Sequence, residues 1–211
     1  MFNKEAFKTW IEKTNKSIVP ETHESITLSN LKNAAVAIIL IENNSNNGHK
    51  ELYKEYSIIF AKRSEQVPRH KGQIAFPGGR LEANETMQEA AMRETLEEIG
   101  INIDLASNEW EYLGEYPKNF ITFSDYIITP FIFIHKPNNG NKLNYIPDGY
   151  EIVEVFDVPI KHLLNPENRR VEKREWQGFD LDIHFFSFND KTIWGITGWL
   201  LHDFLISLNI K

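Results

Sequence analysis

Apolar residues recur along this chain with two different periods. Phe7, Trp10, Ile11 and Ile18 fall at helical intervals and predict a short amphipathic helix over 4–18. β-Branched runs at 35–41 and 56–61 predict two strands, and the polar, turn-prone segment between them (ENNSNNGHK) predicts a hairpin. A short apolar strand at 73–76 is expected to stop at Pro77-Gly78-Gly79. The helical period then returns in an element that starts near Asn84, a good N-cap, and ends at Gly100, a good residue to follow a helix. Further strands are expected at 110–116, 126–134, 152–158, 171–176 and 181–188. A closing helix at 198–208 carries Leu200, Leu201, Phe204, Leu205 and Leu208 on one side. No internal repeat and no linker long enough to divide the chain is apparent. Strands outnumber helices and the two stronger helices flank most of them in sequence, which predicts an α/β fold with a mixed sheet between helical layers. Residues 1–33 read as an N-terminal helical extension and 34–211 as a single domain.

The helix before Gly100 breaks two local rules at one spot. Glu94, Glu97 and Glu98 share an arc of about 100° on its last turn. Like charges at such spacing cost about 0.2–0.5 kcal/mol per pair. Carboxylates there also face the negative end of the helix dipole, at about 0.3–1 kcal/mol each. A bound divalent cation is the simplest compensation, and hard carboxylate oxygens suit Mg2+ or Mn2+.

Composition narrows the field. The chain has 211 residues, 41% of them hydrophobic and 12% aromatic, enough to bury a full core. It has no cysteine, which excludes disulfides, thiolate catalysis and cysteine-bound zinc. The longest apolar run, 34–41, is far too short to span a bilayer, and the charged N-terminus has no apolar signal core. A reducing compartment, the cytoplasm, is therefore expected. The net charge of −7 argues against a nucleic-acid coat or a membrane-surface protein. An anionic small-molecule substrate would need a local basic cluster and a metal.

The acids carry a pattern as well as a charge. Gly79, Glu85, Arg93, Glu94, Glu97, Glu98 and Gly100 stand at the fixed positions of G-x5-E-x7-R-E-U-x-E-E-x-G-U. In this the chain resembles the Nudix hydrolases, with Thr95 where a bulky aliphatic residue is usual. The resemblance implies an α/β/α sandwich with a mixed sheet and a metal-dependent attack of water on a diphosphate. It implies that Glu94 and Glu98 ligate the cation, and that Glu97 binds a further ion or helps activate water. It also implies that Arg93 orients a carboxylate, that Glu85 steadies the loop–helix packing, and that a backbone carbonyl at Gly78 or Gly79 reaches the metal.

A second pattern lies just upstream: Ala61-Lys62-Arg63-Ser64, then Pro68-Arg69-His70-Lys71-Gly72-Gln73-Ile74-Ala75-Phe76-Pro77-Gly78-Gly79. It is similar to the segment that marks coenzyme A pyrophosphatases within the superfamily, R-S-x-x-L-R-x-H-x-G-Q-x-x-F-P-G-G. Val67 replaces the leucine, and Pro68 stands where an arginine is usual. Coenzyme A carries a diphosphate and a separate 3′-phosphate, and Lys62, Arg63, Arg69, His70 and Lys71 would supply cationic donors to them. The resemblance thus implies Arg63, Arg69, His70 and Gln73 as substrate-binding residues and hydrolysis of coenzyme A or acyl-CoA. It continues through Glu151–Leu164, Arg174-Glu175-Trp176 and Ile193–Thr197, so that it runs from about residue 34 to 208. Members often dimerise, which leaves a homodimer open.

Other readings stay open beside it. The same fold could act on ADP-ribose or another nucleoside diphosphate derivative, or be kept as a ligand-binding module without turnover. Glu151 or Glu154 could supply a further acid, or either could be an edge-strand carboxylate. His135, His162, His184 and His202 read as isolated structural or exposed residues. Trp176, Trp194 and Trp199 read as core or adenine-contact residues.

Overall fold

In the computed structural model of the chain, the described residues are 9, 17–20, 31–43, 56–122, 126–137, 143–176 and 179–208. The strand β2 (Lys32–Glu42) organises the main sheet because both of its faces are apolar. Ala35, Ala37 and Ile39 point to one layer, while Ile38 and Leu40 point to the other. β2 lies parallel to β8 (Tyr126–His135) along nearly its whole length. On its other side it pairs antiparallel with β3 (Tyr56–Arg63) near its end and with β5 (Gly78–Arg80) near its start. β3 in turn pairs with β9 (Ile152–Pro159) and with β4 (Ile74–Ala75). β8 carries β6 (Trp110–Glu115) and β7 (Lys118–Ile121), and β1 (Ser17–Pro20) runs parallel to β7. The result is a mixed nine-stranded sheet. A second, antiparallel sheet joins β10 (Arg169–Trp176), β11 (Phe179–Phe188) and β12 (Lys191–Ile193).

Helix α1 (Met87–Ile99) covers one face of the main sheet. Its Ala90 and Ala91 are fully buried with Ala35 and Ala37 of β2, and these small side chains let helix and strand approach closely. The opposite face is aromatic. There α3 (Gly195–Ser207) buries Leu200, Leu201, Phe204 and Leu205 against Ile38, Leu40, Ile58, Phe60 and Phe120. Between them in sequence lie the short α2 (Ile160–Leu164) and a turn of 3-10 helix at Pro166–Asn168. A mixed sheet between helical layers is therefore the architecture, as the sequence pattern predicts.

Several expectations are corrected. Helix α1 is capped by Thr86, not Asn84: the Thr86 side chain accepts from Glu89 N–H, and Glu89 Oε2 accepts from Thr86 N–H. Asn84 instead adopts a positive φ of 68° in the preceding turn. The short strand does stop before Pro77, as β4 at Ala75, but the glycines that follow it open β5 and pair with β2. Ile18 belongs to β1; of the helix predicted over 4–18, Thr9 is helical and the rest of that stretch before Ser17 lies outside the described residues. Residues 44–55 of the predicted hairpin loop and the side chain of Trp176 also lie outside them.

The histidines divide. His135 is buried against Trp110, and His162 Nε2 lies 2.8 Å from Ser187 O, as structural residues do. His184 and His202 are not isolated: their rings stack 3.6 Å apart between β11 and α3. Arg169 Nη2 lies 3.0 Å from His202 Nδ1, so a neutral His202 accepts from the guanidinium. Burial, then His184 and Arg169, push the His202 pKa down to about 4, against weaker support from Asp203 and Asp182. A depressed histidine contributes stability that is present above its unfolded pKa and lost as pH falls towards its folded one. Thermal denaturation should therefore show the midpoint of the wild type falling between pH 6.5 and about 4. His202→Phe, which keeps the stacked ring but cannot take a proton, is expected to flatten that fall.

Candidate active site

The acids that end α1 are held by one side chain. Arg93 Nε and Nη2 donate to the two carboxylate oxygens of Glu85 at 3.0 and 2.9 Å. Nη1 lies 3.0 Å from Glu94 Oε1 and donates to Glu97 Oε2 at 3.0 Å, while Nη2 also donates to Arg80 O at 3.0 Å. The fork so ties three acids and the β5 backbone into one unit. Each contact follows from spacing: Glu97 is one turn from Arg93, and Glu85 sits in the turn before the helix, where it also accepts from Glu82 N–H at 2.7 Å. Arg93 holds the Glu85 carboxyl below the usual carboxylate range.

Glu98 is different. It is 7% exposed, and its Oε2 accepts from Gly78 N–H at 3.0 Å. Burial pushes its pKa up to about 8, and the nearby Glu94 and Glu151 add to that, against the Gly78 hydrogen bond and Arg63. Burial also raises Glu94. Glycine is required at 78, where a Cβ would lie 2.2 Å from Ala35 O, and a Cβ on Gly79 would lie 2.4 Å from the Glu94 carboxyl carbon and displace that carboxylate. Gly100 caps the helix at φ 71°, with its N–H on Leu96 O at 3.0 Å.

Among the described residues no three acidic or histidine side chains converge tightly enough to cage a metal as they stand. The hydrogen bonds explain this, since Arg93 holds one oxygen each of Glu94 and Glu97, and Gly78 holds one of Glu98. The donor set nevertheless suits a hard divalent cation. Buried carboxylates whose pKa values rise are short of positive charge, and a cation reverses that. Glu94 and Glu98 would hold it, with Glu97, 58% exposed, at its edge. The group of Gly78 that faces Glu98 is its N–H.

The basic segment forms the loop between β3 and β4. Its neck is closed by Arg63 N–H on Gln73 O at 2.9 Å, and Val67 is buried at 3% exposure, pinning the loop. Arg63 reaches the acids, with Nη1 2.6 Å from Glu151 Oε1. Arg69 and His70 stay exposed, and His70 Nδ1 lies 3.0 Å from Gln73 Oε1. No described contact joins Arg69, His70 or Gln73 to Glu94, Glu97 or Glu98. The two downstream acids separate: Glu151 neighbours Glu94 and Glu98, while Glu154 pairs with Lys191 at 3.0 Å. Trp199 packs edge-on against Phe120, and Trp194 stacks with Phe185 while staying 40% exposed.

Sequence reasoning missed Asp148. Its Oδ1 accepts from the N–H groups of Tyr150, Glu151 and Ile152 at 3.1, 3.0 and 2.7 Å. Its own N–H donates to Glu98 O at 3.1 Å, which fixes the loop carrying Glu151 on the helix end. The available signal was Pro147-Asp148-Gly149, a strong turn former.

This chain belongs to the Nudix family, whose NUDIX domain matches residues 31–177. It is 33% identical over 178 residues to "Nudix hydrolase 15, mitochondrial" of Arabidopsis thaliana, covering 81% of this chain and 56% of that protein. It is 27% identical over 137 residues to "Peroxisomal coenzyme A diphosphatase NUDT7" of Mus musculus, covering 63% of this chain and 53% of the relative. A MutT/nudix family protein from Enterococcus faecalis superposes with a TM-score of 0.48 at 17% identity, over 93% of this chain and 66% of that one. The chain spans about half the length of several of the curated relatives it matches.

Two outcomes follow from the geometry. A raised carboxyl contributes stability below its unfolded pKa of 4.5 that is lost as pH rises through its folded value near 8. In excess chelator at pH 8, Glu98→Gln, which keeps an acceptor for Gly78 N–H, should raise the thermal midpoint by about 3–6 °C. Arg93→Lys, a point charge without the fork, should lower kcat about 100-fold, measured on any diphosphate that a substrate panel shows to be cleaved.

Proposed function

We propose that this protein is a Mg2+- or Mn2+-dependent hydrolase that cuts the diphosphate of coenzyme A or acyl-CoA, giving 3′,5′-ADP and (acyl-)4′-phosphopantetheine. The observation that carries the reading is Arg63, which brings the basic segment to the acidic helix end. A phosphate donor thus stands beside a cation site, the pairing that a diphosphate requires. The named activity of the mouse relative supports the choice of coenzyme A.

The roles follow from position. The bound cation supplies charge neutralisation of the phosphate oxygens and a more acidic water. Arg63 would bind and orient the diphosphate through its guanidinium. Arg93 fixes the Glu94 and Glu97 carboxylates and so limits the geometries in which the site can react. Glu97, the most exposed of Glu94, Glu97 and Glu98, would take the proton of the attacking water as its oxygen bonds to phosphorus and the bridging P–O bond breaks. The exposed Arg69, His70 and Lys71 would meet the 3′-phosphate, which lies away from the reacting bond.

One observation favours a second reading, hydrolysis of ADP-ribose or a related nucleoside diphosphate derivative. Pro68 replaces the expected arginine, and Arg69 next to it makes no described contact with the acids. A binding module without turnover would have no need of the clustered charge of Glu94, Glu97 and Glu98. Incubation with Mg2+ and a panel of coenzyme A, acyl-CoA, ADP-ribose and dinucleotides, with products identified by mass, decides among them. Release of 3′,5′-ADP from coenzyme A is expected; turnover of ADP-ribose with coenzyme A intact would overturn the assignment.

A further inference from the structure

The basic segment reaches the helix acids through the loop that enters β9, by an ion pair between Arg63 and Glu151. Arg63 Nη1 lies 2.6 Å from Glu151 Oε1, with side-chain exposures of 20% and 42%. The pair forms because β9 slips register against β3: Lys62 faces Glu154 but Arg63 faces Ile152, leaving Val153 unmatched. Such a slip re-aims the side chains beside it.

The backbones of both partners are tied down. Ser64 N–H donates to Glu151 O at 2.7 Å, and Arg63 N–H donates to Gln73 O at 2.9 Å. Glu151 N–H is held by Asp148 Oδ1, and Asp148 N–H by Glu98 O. The freedom at this junction therefore lies in the two side chains. Arg63 also has donor capacity in reserve, because its Nε is buried with no partner. The Glu151 carboxylate is close enough to repel the charge on Glu94 and Glu98, and Arg63 close enough to attract that on Glu98.

We propose that Arg63 and Glu151 form a clasp that a diphosphate opens. Its phosphate oxygens draw Arg63 away, and the freed Glu151 joins Glu94 and Glu98 in holding a divalent cation. A phosphate can take two parallel N–H bonds from the guanidinium, whereas Glu151 now takes one close contact. Losing Arg63 leaves Glu151 as an uncompensated negative charge beside two others, which raises the affinity for a cation. Metal loading is thereby coupled to the arrival of the anion. The inference rests on the diphosphatase reading for the charge of the ligand, but not on coenzyme A.

Mn2+ binding to the ligand-free protein, followed by electron paramagnetic resonance, tests it without turnover. Arg63→Ala should tighten Mn2+ binding about tenfold, a usual size for coupled sites. That gain should vanish in Arg63→Ala/Glu151→Gln. A gain of equal size in the double variant, or none in the single one, overturns the clasp. With the non-hydrolysable probe methylenediphosphonate added to otherwise native protein, Glu151→Gln should weaken Mn2+ binding about tenfold. Equal affinity of wild type and Glu151→Gln there overturns it even if the Arg63 variant does not fold. Coenzyme A left intact in the substrate panel does not bear on these titrations. Failure of the wild type to bind Mn2+ would overturn the metal reading and the clasp together.

Discussion

The Arg93 fork is the interaction on which the site depends. Three acids crowd the end of a helix whose dipole disfavours them, and its last turn carries no base. Arg93 answers that from the same helix face, reaching Glu97 along the helix, Glu94 beside it, Glu85 in the entering turn and Arg80 O on the sheet. One guanidinium therefore offsets the repulsion and sets the position of α1 against β5. Lysine has the charge but not the planar set of donors needed to do both.

The fit of α1 on the sheet supports the same geometry from below. Alanines on both surfaces bring the helix close to β2, and glycines at 78 and 79 let β5 pass directly under the acids. Larger side chains at any of these positions would lift the carboxylates from the backbone that orients them. On the far face, aromatic packing around Phe60, Tyr116 and Phe204 holds the sheet without touching the chemistry. Tyr116 OH and Lys118 Nζ both bond to Asp203 at 2.6 Å, which ties α3 to the β6–β7 turn.

Much of this is legible in the chain itself because it is local. The helix, its Gly100 end and the fixed spacing of Glu85, Arg93, Glu94, Glu97 and Glu98 depend on residues within a few turns of one another. The strands with strong β-branched runs are legible for the same reason. What depends on partners far away in sequence is not: β5 is two glycines and an arginine, and it is a strand because β2 offers it a ladder. β1 and β7 likewise define each other. Asn84 and Thr86 are both good caps by composition, and the reciprocal bond with Glu89 is what selects Thr86. The stacking of His184 on His202 brings β11 against α3, and no spacing in the sequence announces it.

The one-residue slip between β3 and β9 has an evolutionary consequence. The helix acids hang from α1 over β5, whereas the basic loop hangs from β3 and β4. The Arg63–Glu151 contact lies between the end of β3 and the start of β9, and the Asp148 turn carries it on to the helix end. Substitutions at the exposed positions 65, 66 and 68–71 can therefore change the basic loop while Val67 keeps it pinned and Glu85, Arg93, Glu94, Glu97 and Glu98 stay in place. A chain built this way can diverge in diet without rebuilding its machinery, and the proline at 68 stands in the segment where such drift is cheapest.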